Sequence, residues 1–175
     1  MAVPLTDLVP AFREPCEELL HVCWEKNKER FVPYCTLRTP IEQAKLWRQS
    51  RSIATIKTQL ARLRVNSAHF IADCIEKVGP QNGKPVTGSI PGQSWHQFGE
   101  AMDCFYVDSD GQESWHSNYY RFYATTAQRL GLTCGHFWRI VDSGHVQFRS
   151  ESPLEYYGGW EKLDAALKER WGHLL

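Results

Sequence analysis

Apolar positions recur at helical spacing along most of the chain and at strand spacing in two short stretches. Cys16, Leu19, Leu20, Cys23 and Trp24 fall on one helical face, with Pro15 placed for a first turn, where an N–H has no intrahelical partner to lose. Thr39-Pro40-Ile41-Glu42 reads as a helix start carrying Gln43, Leu46 and Trp47: threonine caps, proline takes the first position, and glutamate three residues on reaches back to the cap. Ile53, Ile56, Leu60 and Leu63 predict another helix, and Phe70, Ile71, Cys74, Ile75 and Val78 one that stops at Gly79-Pro80. From Gly79 to Gln93 glycine and proline are dense, which predicts a surface loop. Residues 101–107 and 145–148 predict short strands. Tyr119, Phe122, Tyr123, Thr126 and Leu130 predict a helix closed by Gly131, and Ser152-Pro153-Leu154-Glu155 caps a last one bearing Trp160, Leu163, Leu167 and Trp171. Helices come early and strands late, so the expected class is α+β, a small and mainly antiparallel sheet packed by several helices.

Composition narrows the picture. At 175 residues, 42% hydrophobic and 13% aromatic, the chain suits one globular domain spanning 1–175. Lys+Arg and Asp+Glu both number 20, so no global field favours nucleic acid or an anionic membrane, and neither is an expected partner. No stretch approaches the roughly 20 apolar residues that span a bilayer. Asp7, Pro10, Arg13 and Glu14 interrupt what would have to be the apolar run of a secretory signal, so the expectation is synthesis in the cytoplasm without a signal peptide. Cys16, Cys23, Cys35, Cys74, Cys104 and Cys134 include no Cys-x-x-Cys pair, which predicts mostly buried thiols rather than a zinc ribbon or redox site.

The candidate chemistry lies in Ser94-Trp95-His96-Gln97-Phe98-Gly99-Glu100-Ala101-Met102-Asp103 and in Asp142-Ser143-Gly144-His145-Val146-Gln147. His96 stands in a turn before a predicted strand, Asp103 on that strand and His145 on the other. Two imidazoles and a carboxylate suit one zinc ion with a position left for water. The same trio also suits the facial triad of a non-haem iron oxygenase. Strand alternation puts Asp103, Phe105 and Val107 on one face and Met102, Cys104 and Tyr106 on the other, so Cys104 is expected to turn away from Asp103. His145 and Gln147 share a face, with Val146 and Phe148 on the core side. Trp95, Phe98 and Trp138 read as packing more than recognition, and His21, His69, His116 and His173 have no partnered motif.

The ordered blocks resemble a known family. Ser-x-His-x-x-Gly-x-Ala-x-Asp at 94–103 with the later Asp-x-x-His at 142–145 looks like the zinc motif of the D-alanyl-D-alanine carboxypeptidase (VanY-like) family, in the wider group with lysostaphin-type peptidases and hedgehog amino-terminal domains. Leu37-Arg38-Thr39-Pro40-Ile41-Glu42-Gln43-Ala44-Lys45-Leu46-Trp47 and Gly131-Leu132-Thr133-Cys134-Gly135-His136-Phe137-Trp138 are similar to blocks of its L-alanyl-D-glutamate endopeptidase and phage endolysin branch. The likeness spans about residues 33–148. It departs at His136, where the family has glycine, and in residues 52–85, longer and more helical than usual.

The resemblance implies a hedgehog/D,D-peptidase-like fold whose sheet carries one zinc ion (Zn2+) on His96, Asp103 and His145. It gives Asp142 the role of general base and places Arg38 near the catalytic centre, to bind substrate carboxylate or stabilise an oxyanion. Ser94 is expected to bond a ligand side chain or its loop, Gln147 to support a ligand, and His136 to approach substrate. The implied substrate is the stem peptide of peptidoglycan, cut as an L-alanyl-D-glutamate endopeptidase of endolysin type. The alternatives are a D-alanyl-D-alanine carboxypeptidase or dipeptidase, and a non-catalytic wall-binding module that keeps zinc for structure. Action at the wall or in the periplasm would then require a holin or a secretion system.

Overall fold

The computed structural model describes residues 3–175; residues 1 and 2 of the expected 1–175 domain lie outside the described residues. In chain order the elements are α1 (Pro10–Asn27), β1 (Arg30–Cys35), α2 (Pro40–Arg48), α3 (Ile53–Val65), α4 (His69–Lys77), β2 (Ala101–Val107), β3 (Glu113–Ser114), α5 (Arg121–Arg129), β4 (Thr133–Cys134), β5 (His145–Gln147), α6 (Pro153–Tyr157) and α7 (Trp160–Trp171). The class is α+β, with one small sheet whose pairings are all antiparallel. Among the described residues no helix is long and apolar enough to cross a membrane. The chain divides into two compact units, one holding residues up to Leu37 with Phe98–Ser150, the other Arg38–Gln97 with Glu151–Leu175.

The first unit contains the sheet, ordered β1-β2-β5-β4 with β3 also on β2. Its core joins Phe12, Cys16, Leu19 and Cys23 of α1 to Tyr123, Ala124 and Ala127 of α5 and to Met102, Cys104 and Val146 of the sheet. The inward stripe of α1 follows the expected spacing, but the helix begins at Pro10 and leaves Pro15 in its interior. Burial of Phe12 lengthens it, because an added apolar anchor offsets the one ladder bond that Pro15 cannot make. Met102 and Cys104 of β2 are fully buried and belong to this core.

The second unit is helical, with α4 packed against α2, α3 and α7. Thr39 and Glu42 form the expected capping box: Thr39 Oγ1 accepts from Glu42 N at 3.1 Å, and Glu42 Oε2 accepts from Thr39 N at 2.7 Å. On α3 only Ile56 and Leu63 of the expected stripe are buried, while Ile53 is 73% exposed. The single last helix expected from Ser152 is two, because Gly158 (φ 72°) and Gly159 (φ 129°) take conformations that break α6 from α7.

At the start of α4 the capping position is Ala68, which has no side-chain acceptor. Asp164 of α7 supplies one from 94 residues away: its carboxylate oxygens accept from Phe70 N at 3.1 Å and Ile71 N at 2.8 Å, in a buried setting. A negative group is favoured at a helix N-terminus, where backbone donors are otherwise orphaned. Removing it strands two buried N–H groups. Asp164→Ala should therefore lower unfolding stability by about 3 kcal/mol, and Asp164→Asn, which keeps one acceptor, by less. Urea unfolding of the three proteins followed by circular dichroism measures both.

Candidate metal centre

Three side chains of differing chemistry lie in one row across the sheet. Asp103 on β2 pairs with His145 on β5 on one side and with Cys35 on β1 on the other. Directly opposed residues of an antiparallel ladder present their side chains to the same face. Cys35 reaches this position through a bulge: Pro33 pairs with Cys104, but the next partner, Asp103, meets Cys35 rather than Tyr34. The extra residue re-aims the strand end, and Tyr34 packs edge-on against Trp115 at 4.9 Å. β1 is an edge strand, where a proline such as Pro33 is tolerated.

His145 is buried and held at both ring nitrogens. Nδ1 lies 2.7 Å from Asp103 Oδ1 and Nε2 lies 3.1 Å from Gln147 Oε1. Gln147 Nε2 donates to Arg149 O at 2.6 Å, which assigns its oxygen to the imidazole side. Nε2 therefore carries the hydrogen, and in a neutral ring Nδ1 would turn a lone pair toward the carboxylate. That contact is favourable only with a positive species between the two atoms, either a proton or a metal ion. Arg149 also anchors the neighbourhood by a two-pronged ion pair with Glu100, at 2.5 and 3.2 Å.

In the second unit, buried His96 sits in a 3-10 turn, Trp95–Phe98, where Ser94 Oγ accepts from His96 N at 3.4 Å. Ser94 thus bonds the loop backbone. Arg38 N donates to His96 O at 3.2 Å, and Arg38 Nη1 to Gln43 Oε1 at 3.0 Å. Gln43 and Gln97, both fully buried, join this segment to the glycine-rich loop: Gln97 Nε2 donates to Gln43 Oε1 at 3.3 Å, Gln43 Nε2 to Ser89 O at 2.7 Å, and Gly92 N to Gln97 Oε1 at 2.5 Å. The Arg-Thr-x-x-Glu-Gln block therefore divides its work, Thr39 and Glu42 starting the helix and Gln43 orienting the arginine. Trp95 is packing, buried against Tyr156 with Nε1 donating to Glu151 O at 2.8 Å.

Asp142 opens a turn that closes when His145 N donates to Asp142 O at 3.2 Å. The turn is pressed into the sheet, with Cys104 N donating to Gly144 O at 3.0 Å and Asp142 N to Gly135 O at 3.0 Å. Neither glycine has room for a side chain: a Cβ on Gly144 would collide with Cys104 O, and one on Gly135 with Asp142 O. His136 Nδ1 is 2.9 Å from Ser143 Oγ, so this histidine braces the turn. Trp138 leans over His145 at 5.1 Å between ring centres. Asp142 itself is exposed on the wall of an open depression of about 550 Å³, shared with Trp115, His116 and Val141. His116 lines this depression although no partnered motif in the sequence marks it.

Within the first unit, ligand atoms of Cys35 and Asp103 lie within 4.8 Å of each other, and both residues are of types that ligate metal ions. Cys35 is only partly buried, unlike the mostly buried thiols expected, and what singles it out is a bulge no local pattern announces. Cys104 behaves as expected, sealed in the core where burial holds its thiol well above the usual range.

No protein-family model matches the chain, and no curated protein does. Among solved structures, the crystal structure of the L-Ala D-Glu endopeptidase ChiX of Serratia marcescens is similar over 87% of this chain and 86% of its own, at 16% sequence identity and a TM-score of 0.47.

The collision at Gly144 makes a direct test of the turn. Gly144→Ala should cost about 1–3 kcal/mol of stability, the usual range for overpacking, and should weaken binding of any metal that depends on His145. Gly88→Ala, where an added Cβ meets nothing within 4 Å, should leave the melting temperature unchanged. Thermal unfolding with and without added zinc compares the two.

Proposed function

We propose that this chain is a zinc peptidase acting on the stem peptide of bacterial peptidoglycan, as an L-alanyl-D-glutamate endopeptidase, with His96, Asp103 and His145 as metal ligands. The observation that carries the metal reading is the buried approach of His145 Nδ1 to Asp103 Oδ1 at 2.7 Å, with Gln147 fixing the hydrogen on the other nitrogen. Imidazoles that bind metals characteristically donate their second N–H to such an acceptor. The order of the motif blocks supports the substrate class.

A bound zinc ion would polarise the scissile carbonyl and bring the pKa of its water to about 7. Asp142 is the base in this reading: it takes the proton of the attacking water and returns it to the leaving amine. Its place at the head of the turn ending in His145 fixes it relative to one ligand, while its exposure leaves it open to substrate. Arg38, steered by Gln43, offers a guanidinium to a substrate carboxylate or to the developing oxyanion. Trp115 and His116 wall the depression beside Asp142 and would meet the peptide.

Digestion of purified peptidoglycan should release new amino groups on D-glutamate while free D-alanine stays near background, as read by mass spectrometry of the fragments. D-alanine as the main product would instead assign the chain to carboxypeptidase chemistry. Asp142→Asn should keep its zinc and lose about 10²–10⁴-fold in turnover, the usual contribution of a positioned acid-base group. Zinc content by elemental analysis beside the rate separates base from ligand, since loss of metal in this variant would make Asp142 a ligand.

A further inference from the structure

Resting on the metal reading above, we propose that Cys35 is a further ligand of the same ion, giving it a thiolate donor beside Asp103. The register places Cys35 and His145 on opposite flanks of Asp103 and on one face of the sheet. The thiol sulfur and an Asp103 carboxylate oxygen also lie within 4.8 Å of each other. Donors bound to one ion at about 2.0–2.3 Å stand some 3–4 Å apart, so small rotations suffice to bring the Cys35 thiol and the Asp103 carboxylate onto one ion.

The bulge is the device that delivers this cysteine. Without it Tyr34 would face Asp103 and Cys35 would point to the other side of the sheet. The other five cysteines lack this access. Cys16, Cys23, Cys74, Cys104 and Cys134 are buried, and burial raises each thiol, Cys134 to about 11 and Cys23 and Cys74 to about 12. Cys35 alone among them is partly exposed.

A soft thiolate shifts preference toward zinc and away from magnesium, calcium and manganese, which favour oxygen donors. It also alters the count at the ion. Four protein donors make the closed set of a structural zinc site, so a thiolate on the ion competes with the position that hydrolysis needs for water. Cys35 lies at the end of an edge strand beside exposed Tyr34, and its withdrawal would reopen that position.

Cobalt(II) reports the donor directly, because a thiolate on cobalt adds a near-ultraviolet charge-transfer band to the visible bands that any bound cobalt shows. The full chain loaded with cobalt should show both, Cys35→Ser should lose the charge-transfer band and keep the visible ones, and Cys104→Ser should keep both. Alkylation of wild-type Cys35 by iodoacetamide, located by mass spectrometry, should slow when cobalt is bound, and this reading does not depend on how the serine variant folds. Visible bands without charge transfer in the wild type, a charge-transfer band that survives in Cys35→Ser, or alkylation indifferent to cobalt would overturn the assignment. If in that case the wall is still cleaved with zinc bound, the peptidase reading stands and only Cys35 falls. Failure of the wild type to bind cobalt or zinc at all would remove both.

Discussion

The antiparallel register at Asp103 is the constraint on which the sheet's chemistry depends. β2 is paired on both sides there, with His145 opposite on β5 and Cys35 opposite on β1. A slip of one residue would turn a paired strand's side chains to the other face, sending His145 into the core and Val146 out of it. Several local features oppose that slip. Val146, Met102 and Cys104 are completely buried, Cys104 N is bonded to Gly144 O, and Gly144 permits a contact that no other residue would fit.

Buried amides provide the second level of order. Gln43, Gln97 and Gln147 are all sealed from solvent or nearly so, and each bonds on both its oxygen and its nitrogen. A satisfied amide adds only about 1 kcal/mol net, but a buried polar atom left without a partner costs about 1–3 kcal/mol, so such groups hold geometry better than they add stability. Gln147 fixes the tautomer of His145. Gln43 and Gln97 together join the arginine block, the turn bearing His96 and the loop at Ser89 and Gly92. The proposed chemistry thus rests on uncharged residues that carry no obvious catalytic mark.

Much of this was legible beforehand. The capping boxes at Thr39 and Ser152, the strand at residues 101–107, the loop at 79–93 and the core side of Val146 all follow from local rules of spacing and capping. The chemical types at His96, Asp103, Asp142 and His145 were equally plain, because a motif is a local statement about neighbouring residues.

What the sequence alone determined, then, was the set of elements and the chemical inventory, since helix caps, turns and side-chain alternation act over a few residues. Only the tertiary structure decided which groups meet. Asp164 caps a helix 94 residues away, Cys35 faces Asp103 through a bulge, and His116 shares a depression with Asp142. These meetings depend on strand pairing and helix packing between distant segments. The energies that settle them are summed over the whole fold, and no local window of the sequence contains them.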